Sequence, residues 1–336
     1  MPKKALITGI AGQDGSYLSN FLLSKGYEVH GTFRRNSSQE FYRLKELKIF
    51  DELNLHEVEL TEKYQIEGLL KAHKYDEICN LAAQSFVATS FNSPLYTFDV
   101  NTISLLNILE CIKNFSSYTK LYQASTSEMF GKVQTTPQNE STPFYPRSPY
   151  GVSKLASHWM LVNYRESYDL FLTSGILFNH ESPFRGLEFI TKKITNSVAR
   201  IKKGEMEYVS VGNLNASRDW GFAGDFVKAM YFMLQSDMPD DYVIGTGETH
   251  SIREMIELAF SYIDVEIVWE GKDLNEIGVD KRNGKALVKV SQDFFRPAEV
   301  DLLLSDASKA KKALGWAPET SFKDLIKMMV EYDLAK

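Results

Sequence analysis

Apolar positions in the first part of the chain alternate between short runs and longer helical patterns. Residues 4–8 form a short apolar run that ends at a glycine turn, which is typical of a buried parallel strand. A helical pattern follows, with one apolar face between Tyr17 and Leu22, and Gly26 ends it. Residues 27–33 are the next predicted strand, so this stretch predicts one βαβ unit.

The same alternation continues through the next ninety or so residues. We predict strands at residues 55–60, 77–82 and 120–125, with helices at 64–72 and 97–114 between them. Regular alternation of this kind predicts an α/β fold with a doubly wound parallel sheet, which binds its ligands at the carboxyl ends of the strands.

The second half departs from this regular pattern after residue 178. Strand and helix patterns return around residues 225–235 and 242–244, and the end of the chain is helical. Because no Pro-rich linker separates the halves, we expect interleaved lobes. The predicted division is a larger domain of residues 1–178 with a returning piece near 222–248, and a smaller α/β substrate-binding lobe of residues 179–221 and 249–336.

Composition excludes several classes of function. The chain has 336 residues, 43% of them hydrophobic, which is enough for a large core and a second lobe. Its net charge of −6 argues against a nucleic-acid surface, because binding a phosphate backbone needs a basic face. We find no signal-peptide pattern and no apolar run of membrane-spanning length, so we expect a cytoplasmic protein. Cys79 and Cys111 lie in apolar surroundings and are predicted to be buried, reduced thiols.

Three glycines, Gly9, Gly12 and Gly15, stand between the first predicted strand and the first predicted helix. This is the context in which such a motif binds a dinucleotide. Gly9 can make the tight turn, Gly12 can let the backbone approach a pyrophosphate, and the helix amino terminus favours negative charge. An ordinary glycine-rich turn is the alternative, and the context favours dinucleotide binding.

Arg34 and Arg35 stand at the end of the second predicted strand. A protein that binds NAD usually has an Asp or Glu there, which holds the ribose 2′-hydroxyl. Guanidinium groups are forked, permanently charged phosphate donors, so this pair favours the 2′-phosphate of NADP. The alternative is a solvated basic turn, and the position favours NADP.

Tyr150 and Lys154 are four residues apart on a predicted helix, so their side chains share a face. Tyrosine, with an ordinary pKa near 10, is a poor base at neutral pH. A nearby ammonium and the positive nicotinamide of an oxidised cofactor would favour the phenolate. The spacing alone is common on amphipathic helices, and it gains meaning from the glycine turn and the Ala124-Ser-Thr126 strand end upstream.

Glu128 follows that strand end, at the edge of the sheet where the nicotinamide is expected. A reductase needs only a hydroxyl-bearing residue and the tyrosine there, so an additional carboxylate indicates a second proton transfer. The combination predicts redox chemistry on a sugar followed by elimination. The alternative is a charge at a helix start or a solvated loop residue.

Longer stretches of the chain resemble the extended short-chain dehydrogenase/reductase superfamily and, within it, the GDP-mannose 4,6-dehydratases. These stretches are residues 6–17, 80–85, 122–128, 142–150, 175–183, 212–221 and 295–301. The resemblance implies a Rossmann domain that holds NADP, a GDP-sugar substrate, a hydro-lyase activity in nucleotide-sugar metabolism and deoxysugar biosynthesis, and no metal. It also implies a homo-oligomer, either a dimer or a tetramer, and no nucleic-acid or membrane partner.

The resemblance implies conversion of GDP-mannose to GDP-4-keto-6-deoxymannose by internal hydride transfer. Tyr150 would take the proton of the 4-hydroxyl while C4 passes a hydride to NADP⁺. Glu128 would then remove the C5 proton as water leaves C6, and the hydride would return to C6. Thr126 would hydrogen-bond the 4-oxygen, and Lys154 would hold the nicotinamide ribose and tune Tyr150.

The same resemblance assigns binding residues position by position. The implied cofactor contacts are Gly9, Gly12, Gln13, Asp14, Arg34, Arg35, Leu60, Leu81, Ala83, Ser85, Tyr96, Lys154, His180 and Arg185. The implied substrate contacts are Ser85, Asn179, Lys193, Arg218 and Arg296.

Five positions depart from the family pattern: Phe86, Ala88, Phe184, Phe222 and Gly224 stand where polar or longer side chains are usual. Such changes alter donors and space in a pocket, which leaves GDP-D-glycero-D-manno-heptose as an alternative substrate with a bulkier C6 end. A nucleotide-sugar epimerase or reductase is another alternative, although it has no need of Glu128. A non-catalytic dinucleotide-sensing protein is the third, although such proteins often lose the tyrosine.

Overall fold

A computed structural model of the protein describes residues 2–36, 41–294 and 302–336. Within these ranges the strands are β1 Lys4–Thr8, β2 Glu28–Phe33, β3 Asn54–Glu57, β4 Glu77–Asn80, β5 Lys120–Thr126, β6 Leu172–Leu177, β7 Asn179–Glu181, β8 Val209–Val211, β9 Ser217–Arg218, β10 Trp220–Phe222, β11 Asp241–Ile244, β12 His250–Ser251, β13 Ile267–Glu270, β14 Ile277–Asp280 and β15 Ala286–Val290. The α-helices are α1 Gln13–Ser24, α2 Tyr42–Glu46, α3 Lys63–Ala72, α4 Val87–Asn92, α5 Pro94–Phe98, α6 Ser104–Phe115, α7 Pro149–Tyr168, α8 Ile190–Lys202, α9 Ala223–Gln235, α10 Ile252–Ser261, α11 Ser308–Leu314 and α12 Phe322–Ala335.

Seven strands form one parallel sheet in the order β11-β6-β5-β4-β1-β2-β3. β1 pairs with β2 on one side and with β4 on the other, so the strand order reverses at β1. A crevice opens at the carboxyl ends of the strands at such a reversal, and ligands bind there. The predicted doubly wound α/β fold is confirmed.

The sheet is buried on both faces because its strands carry apolar residues on both sides. Ala5 and Ile7 of β1 pack in a core with α1 and α9, whereas Leu6 packs in a second core with α3, α6 and α7. The free thiols of Cys79 and Cys111 are buried in these two cores, as predicted.

The second half of the chain contributes to both parts of the molecule. β13, β14, β15 and β8 form a separate four-stranded sheet, which packs with α8, α10 and α12 in a core of its own. β11 instead joins the large sheet beside β6, and α9 packs on α1. Ala310 of α11 and the following Trp316 also belong to the core of the large sheet, and the Trp316 indole donates to the carbonyl of Asp225 at 2.9 Å.

Some predicted boundaries were wrong. The single helix predicted over residues 97–114 consists of α5, a π-helical turn at Asp99–Ile103 and α6. Asn101 lies in that turn. Its side-chain oxygen accepts from the backbone N–H of Gln84 at 2.9 Å and its side-chain nitrogen donates to the Ser153 hydroxyl at 2.9 Å, contacts that no local pattern predicts. Strands β3 and β4 end two to three residues earlier than predicted, because the chain turns there to line a cavity. None of the helices in the described ranges is both apolar enough and long enough to span a membrane.

Candidate active site

A cavity of about 760 Å³ lies at the carboxyl ends of β1, β2, β4, β5 and β6. Its floor is the glycine turn, where Gly9, Gly12 and Gly15 all line the cavity. Gly9 has a φ of +69°, and a Cβ there would lie 2.9 Å from the Ala82 Cα, so this turn requires glycine. Because α1 begins at Gln13, its first, unpaired backbone N–H groups are available to an anion in the cavity.

Glu128 and Thr126 reach the cavity from the end of β5. Glu128 lies on a 3₁₀ turn, Ser127–Met129, and its backbone N–H donates to the Thr126 hydroxyl at 3.2 Å. The first turn of α7 packs directly against this turn. A Cβ on Gly151 would be 2.8 Å from the Glu128 carbonyl oxygen, so glycine is what permits the close approach and brings Tyr150 beside Glu128.

Tyr150 and Lys154 both line the cavity and are almost fully buried, with exposed fractions of 8% and 3%. Burial raises the pKa of Tyr150 to about 12, although a hydrogen bond with Thr126 and the positive charge of Arg185 act in the opposite direction. Burial also lowers the pKa of Lys154 to about 8. The Lys154 ammonium donates to the Ala124 carbonyl at 2.9 Å, so its predicted action on Tyr150 stays a prediction.

Asp14 and His180 form a partly buried pair that lines the cavity. The Asp14 Oδ2 lies 2.8 Å from the His180 Nε2, while the His180 Nδ1 lies 2.8 Å from the Phe178 carbonyl oxygen. Burial alone would raise the pKa of Asp14, but the charge and hydrogen bond of His180 and the Gln13 amide lower it to about 2. Burial would lower the pKa of His180, and Asp14 outweighs it, so the pKa of His180 is raised. Each ring nitrogen of His180 faces an acceptor oxygen, an arrangement that favours the protonated ring beside the Asp14 carboxylate.

The other end of the cavity is formed by Arg34 and Tyr96, whose guanidinium and hydroxyl groups are hydrogen-bonded to each other. Arg34 is exposed at the end of β2, and the exposed Arg35 beside it is outside the cavity lining. Arg185 closes a third side. Its Nε lies 3.0 Å from the Glu181 Oε2, and its guanidinium stacks on the Phe189 ring at 3.5 Å.

Most residues predicted for the site come together in this cavity. The lining includes Gly9, Gly12, Gln13, Asp14, Arg34, Leu60, Leu81, Ala83, Ser85, Tyr96, Thr126, Glu128, Tyr150, Lys154, Asn179, His180 and Arg185. Lys193 is outside it, with its ammonium 3.3 Å from the centre of the Phe294 ring, and Arg218 is buried in β9. Arg296 lies outside the described residues.

The sequence reasoning missed several lining residues, among them Thr89, Glu188 and Phe189. Glu188 and Phe189 follow β7 and precede α8, in a segment with no periodic pattern. Their proximity to Arg185 in sequence was the one available signal.

A family model and curated proteins of the same family match this chain over nearly its whole length. The sequence model of the family described as "GDP-mannose 4,6 dehydratase" matches residues 6–329. The chain is 51% identical over 340 aligned residues to the GDP-mannose 4,6 dehydratase of Cricetulus griseus, an alignment that covers 99% of this chain and 91% of that protein. The chain belongs to the GDP-mannose 4,6-dehydratase family. The resemblance drawn from the sequence motifs is thereby confirmed.

Solved structures with lower identity share the fold of this dehydratase-family chain. The dTDP-glucose 4,6-dehydratase DesIV from Streptomyces venezuelae, solved with NAD and TYD bound, has a TM-score of 0.83 at 20% identity, covering 98% of this chain and 96% of that one. RMD from Pseudomonas aeruginosa, complexed with NADPH, has a TM-score of 0.78 at 21% identity, covering 99% of this chain and all of that one (100%). At such identities the likeness concerns the fold alone.

Proposed function

We propose that this protein is a GDP-mannose 4,6-dehydratase, a hydro-lyase that converts GDP-mannose to GDP-4-keto-6-deoxymannose. Family membership supports the reaction. The observation that carries the proposal is the position of Glu128, which shares one cavity with Thr126, Tyr150 and the glycine turn. An epimerase or a simple reductase needs the hydroxyl and the tyrosine, but it has no use for this extra carboxylate. These alternatives, and a non-catalytic sensor, are not favoured by the family match.

The residues of the cavity fit a nicotinamide dinucleotide. The cavity has a glycine turn and a helix amino terminus for a pyrophosphate, and structures of the same fold contain NAD or NADPH. When bound, the dinucleotide supplies a hydride acceptor at the start of the reaction and a hydride donor at its end. We infer NADP as the form used here, because Arg34 lines the end of the cavity where the 2′-phosphate is expected.

Tyr150 acts as the base for the sugar 4-hydroxyl. Its buried hydroxyl is a weak acid, with a pKa of about 12, so the phenolate needs support from its neighbours. The Thr126 hydroxyl supplies a hydrogen bond that favours the ionised form. We infer that Lys154, buried one turn further along α7, holds the nicotinamide ribose and adds positive charge.

Glu128 acts in the second stage. Once C4 carries a keto group, the C5 proton becomes acidic, because the resulting negative charge is delocalised onto the keto oxygen. Glu128 takes that proton on a carboxylate oxygen and passes it to the C6 hydroxyl as the C6–O bond breaks, so that water leaves. Reduction at C6 then completes the product, so the reaction has no net redox change.

The substrate is the nucleotide sugar GDP-mannose, and its contacts are inferred. Ser85 and Asn179 line the cavity and are suited to the sugar. Lys193, Arg218 and Arg296 are proposed for the GDP part, on the strength of the family resemblance. We also infer that residues 1–178, with a returning piece near 222–248, bind NADP, and that residues 179–221 and 249–336 bind the nucleotide sugar.

Two of the positions that suggested a larger sugar belong to the core of the molecule. Phe184 is buried and packs on Tyr17 with 5.3 Å between ring centres, and Phe222 packs on the same ring at 5.5 Å. Neither is part of the cavity lining, whereas Phe86 is. These two phenylalanines therefore give no support to the heptose, which is consistent with mannose as the sugar.

We infer a homo-oligomer from an apolar surface on α5 and α7. Leu95 is 81% exposed and Trp159 is 56% exposed, and Phe98 and Val152 are also exposed on these helices. Large exposed apolar side chains that cluster on neighbouring helices are typical of an interface between subunits. Multi-angle light scattering of Leu95→Glu should show a smaller species than the unaltered chain, and an unchanged mass would contradict this interface.

The proposed activity is tested by incubating the purified protein, supplied with NADP⁺, with GDP-mannose. A 4-keto-6-deoxy product should form without net consumption of added NADPH, and UDP-glucose should give none. Oxidation of NADPH in a one-to-one ratio to product would indicate a reductase. A C4 epimer without loss of water would indicate an epimerase, and either outcome would overturn the proposal.

A further inference from the structure

Three histidines from three separate segments meet at the β3 edge of the large sheet. They are His30 in β2, His56 in β3 and His73 immediately after α3. Each can offer one ring nitrogen such that the three nitrogens lie within 4.8 Å of one another. The rings of His30 and His56 are stacked with 5.1 Å between centres, and the His73 ring lies 4.9 Å from that of His30.

Strand register explains why the first two meet. In the parallel pair β2–β3, His30 is opposite Asn54 and Thr32 is opposite His56, so both histidines face the same side of the sheet. His30 is 3% exposed, whereas His56 and His73 are partly exposed, so the cluster is accessible from one side. None of the three histidines lines the cavity described above, so the cluster is a separate site.

The Glu28 carboxylate is hydrogen-bonded to one ring nitrogen of His30. The Glu28 Oε1 lies 2.9 Å from the His30 Nε2, and Lys4 holds the same carboxylate at 3.1 Å. A carboxylate that accepts the N–H of one ring nitrogen leaves the lone pair on the other nitrogen. Such carboxylate–histidine pairs are the usual support of a metal-binding histidine. The other ring nitrogen, Nδ1, lies 2.8 Å from the His56 Nε2 and 3.3 Å from the Tyr75 hydroxyl.

We propose that this cluster binds a divalent transition-metal ion of the zinc type through His30 Nδ1, His56 Nε2 and one ring nitrogen of His73. Water would occupy the fourth position of a tetrahedral site. A zinc ion with Zn–N distances of about 2.0–2.1 Å holds its ligand nitrogens roughly 3.3–3.4 Å apart. The His30–His56 pair must therefore open by about half an ångström, and His73 must move inward by about 1–2 Å, which rotation of its partly exposed side chain can supply.

Burial lowers the pKa values of His30 and His56, and repulsion between neighbouring imidazoles adds to this effect for both. Lowered pKa values favour the neutral rings, which are the forms that bind a metal ion. His56 has only to carry its proton on Nδ1 in place of Nε2. A bound metal ion would link the edge strand β3 to β2 and to the segment after α3. Because the ion binds only the folded chain, it should raise the free energy of unfolding.

The test uses tag-free protein titrated with Co²⁺ and, separately, with Zn²⁺. Co²⁺ should give the visible absorption of a tetrahedral site, excess Zn²⁺ should abolish that absorption, and Zn²⁺ should raise the melting temperature. His73→Gln should weaken the binding of either metal by at least about 100-fold, since losing a ligand exceeds the roughly 10- to 100-fold effect of losing a supporting group. It should also abolish the rise in melting temperature.

Two further variants distinguish specific binding at the three histidines from nonspecific metal binding elsewhere on the chain. Glu28→Gln should weaken the metal by about 10- to 100-fold while keeping the shape of the cobalt spectrum, because it alters the support and not the ligands. His250→Gln is the matched control: His250 is partly exposed with Glu248 and Glu254 each 3.7 Å away, and its loss should leave affinity unchanged. Octahedral cobalt absorption only, no cobalt binding, or equal affinity in His73→Gln would each overturn the proposal.

Discussion

The two ends of the cavity are supported in different ways. At the reaction end, Tyr150 and Lys154 are buried, and the close packing of Gly151 on the Glu128 turn fixes their position. At the other end Arg34 is exposed, and it is held by a hydrogen bond to Tyr96. Buried groups with shifted pKa values suit proton transfer, whereas an exposed guanidinium suits recognition of a phosphate. From this comparison we infer that one end determines the rate and that the other determines which dinucleotide binds.

Among the variants that test this comparison, Tyr150→Phe should have the largest effect on activity. Loss of the hydroxyl removes the proposed base for the first step and leaves the ring that fills the buried space. We expect kcat to fall by about 1,000-fold or more, since a positioned acid–base group contributes up to roughly 10⁴-fold. Binding of NADP, measured by calorimetry, should change little. A variant with normal kcat would show that another group takes the proton.

Glu128→Gln should have the next largest effect, a fall in kcat of about 100- to 1,000-fold. Because Gln keeps the shape but cannot take a proton, elimination should fail while oxidation at C4 persists. Mass spectrometry of substrate incubated in D₂O separates the two stages. Exchange of the C5 proton should be lost in Glu128→Gln, and exchange at the normal rate would exclude Glu128 as the base.

The arginine end is tested by Arg34→Ala combined with Arg35→Ala. We expect NADP to bind about 2–4 kcal/mol more weakly, as is typical of lost charge-assisted hydrogen bonds, and NAD to bind almost as before. Isothermal titration with both dinucleotides provides the measurement. Arg200→Ala, an exposed arginine on α8, is the control. Equal losses for NADP and NAD would mean that the pair is a solvated basic turn.

Local patterns were sufficient to predict most of the fold and much of the site. The β1–turn–α1 unit follows from an apolar run, glycines and an amphipathic helix, and all three signals lie within 26 residues. Tyr150, Lys154 and Glu128 were also found from short motifs, because each stands just after a strand end or in the first two turns of a helix. The π-helical turn at Asp99–Ile103 was missed, because its side-chain contacts come from distant segments.

Pairings between distant residues were beyond sequence reasoning. Asp14 and His180 were each assigned to the cofactor, but their contact joins positions 166 residues apart. The cluster of His30, His56 and His73 depends on strand register and on where α3 ends. A single sequence carries no signal for such contacts, and they appear only when the sheet is assembled.

The Asp14–His180 pair lies between the two ends of the cavity and gives the smallest predicted effect. The pKa of Asp14 is lowered to about 2, so its stabilising contribution is present above its unfolded pKa near 4 and is lost as the pH falls toward 2. The pKa of His180 is raised, so its contribution is complete below about pH 6.5 and is lost as the pH rises through the raised value. His180→Asn should therefore reduce the free energy of unfolding most near pH 5, by about 1–2 kcal/mol, with a smaller reduction toward either extreme.

Urea denaturation across the pH range measures the free energy of unfolding of this variant, with His158→Asn as the comparison. Burial lowers the pKa of His158, so its contribution should fall as the pH decreases, and parallel profiles for the two variants would contradict the pairing of Asp14 with a charged His180.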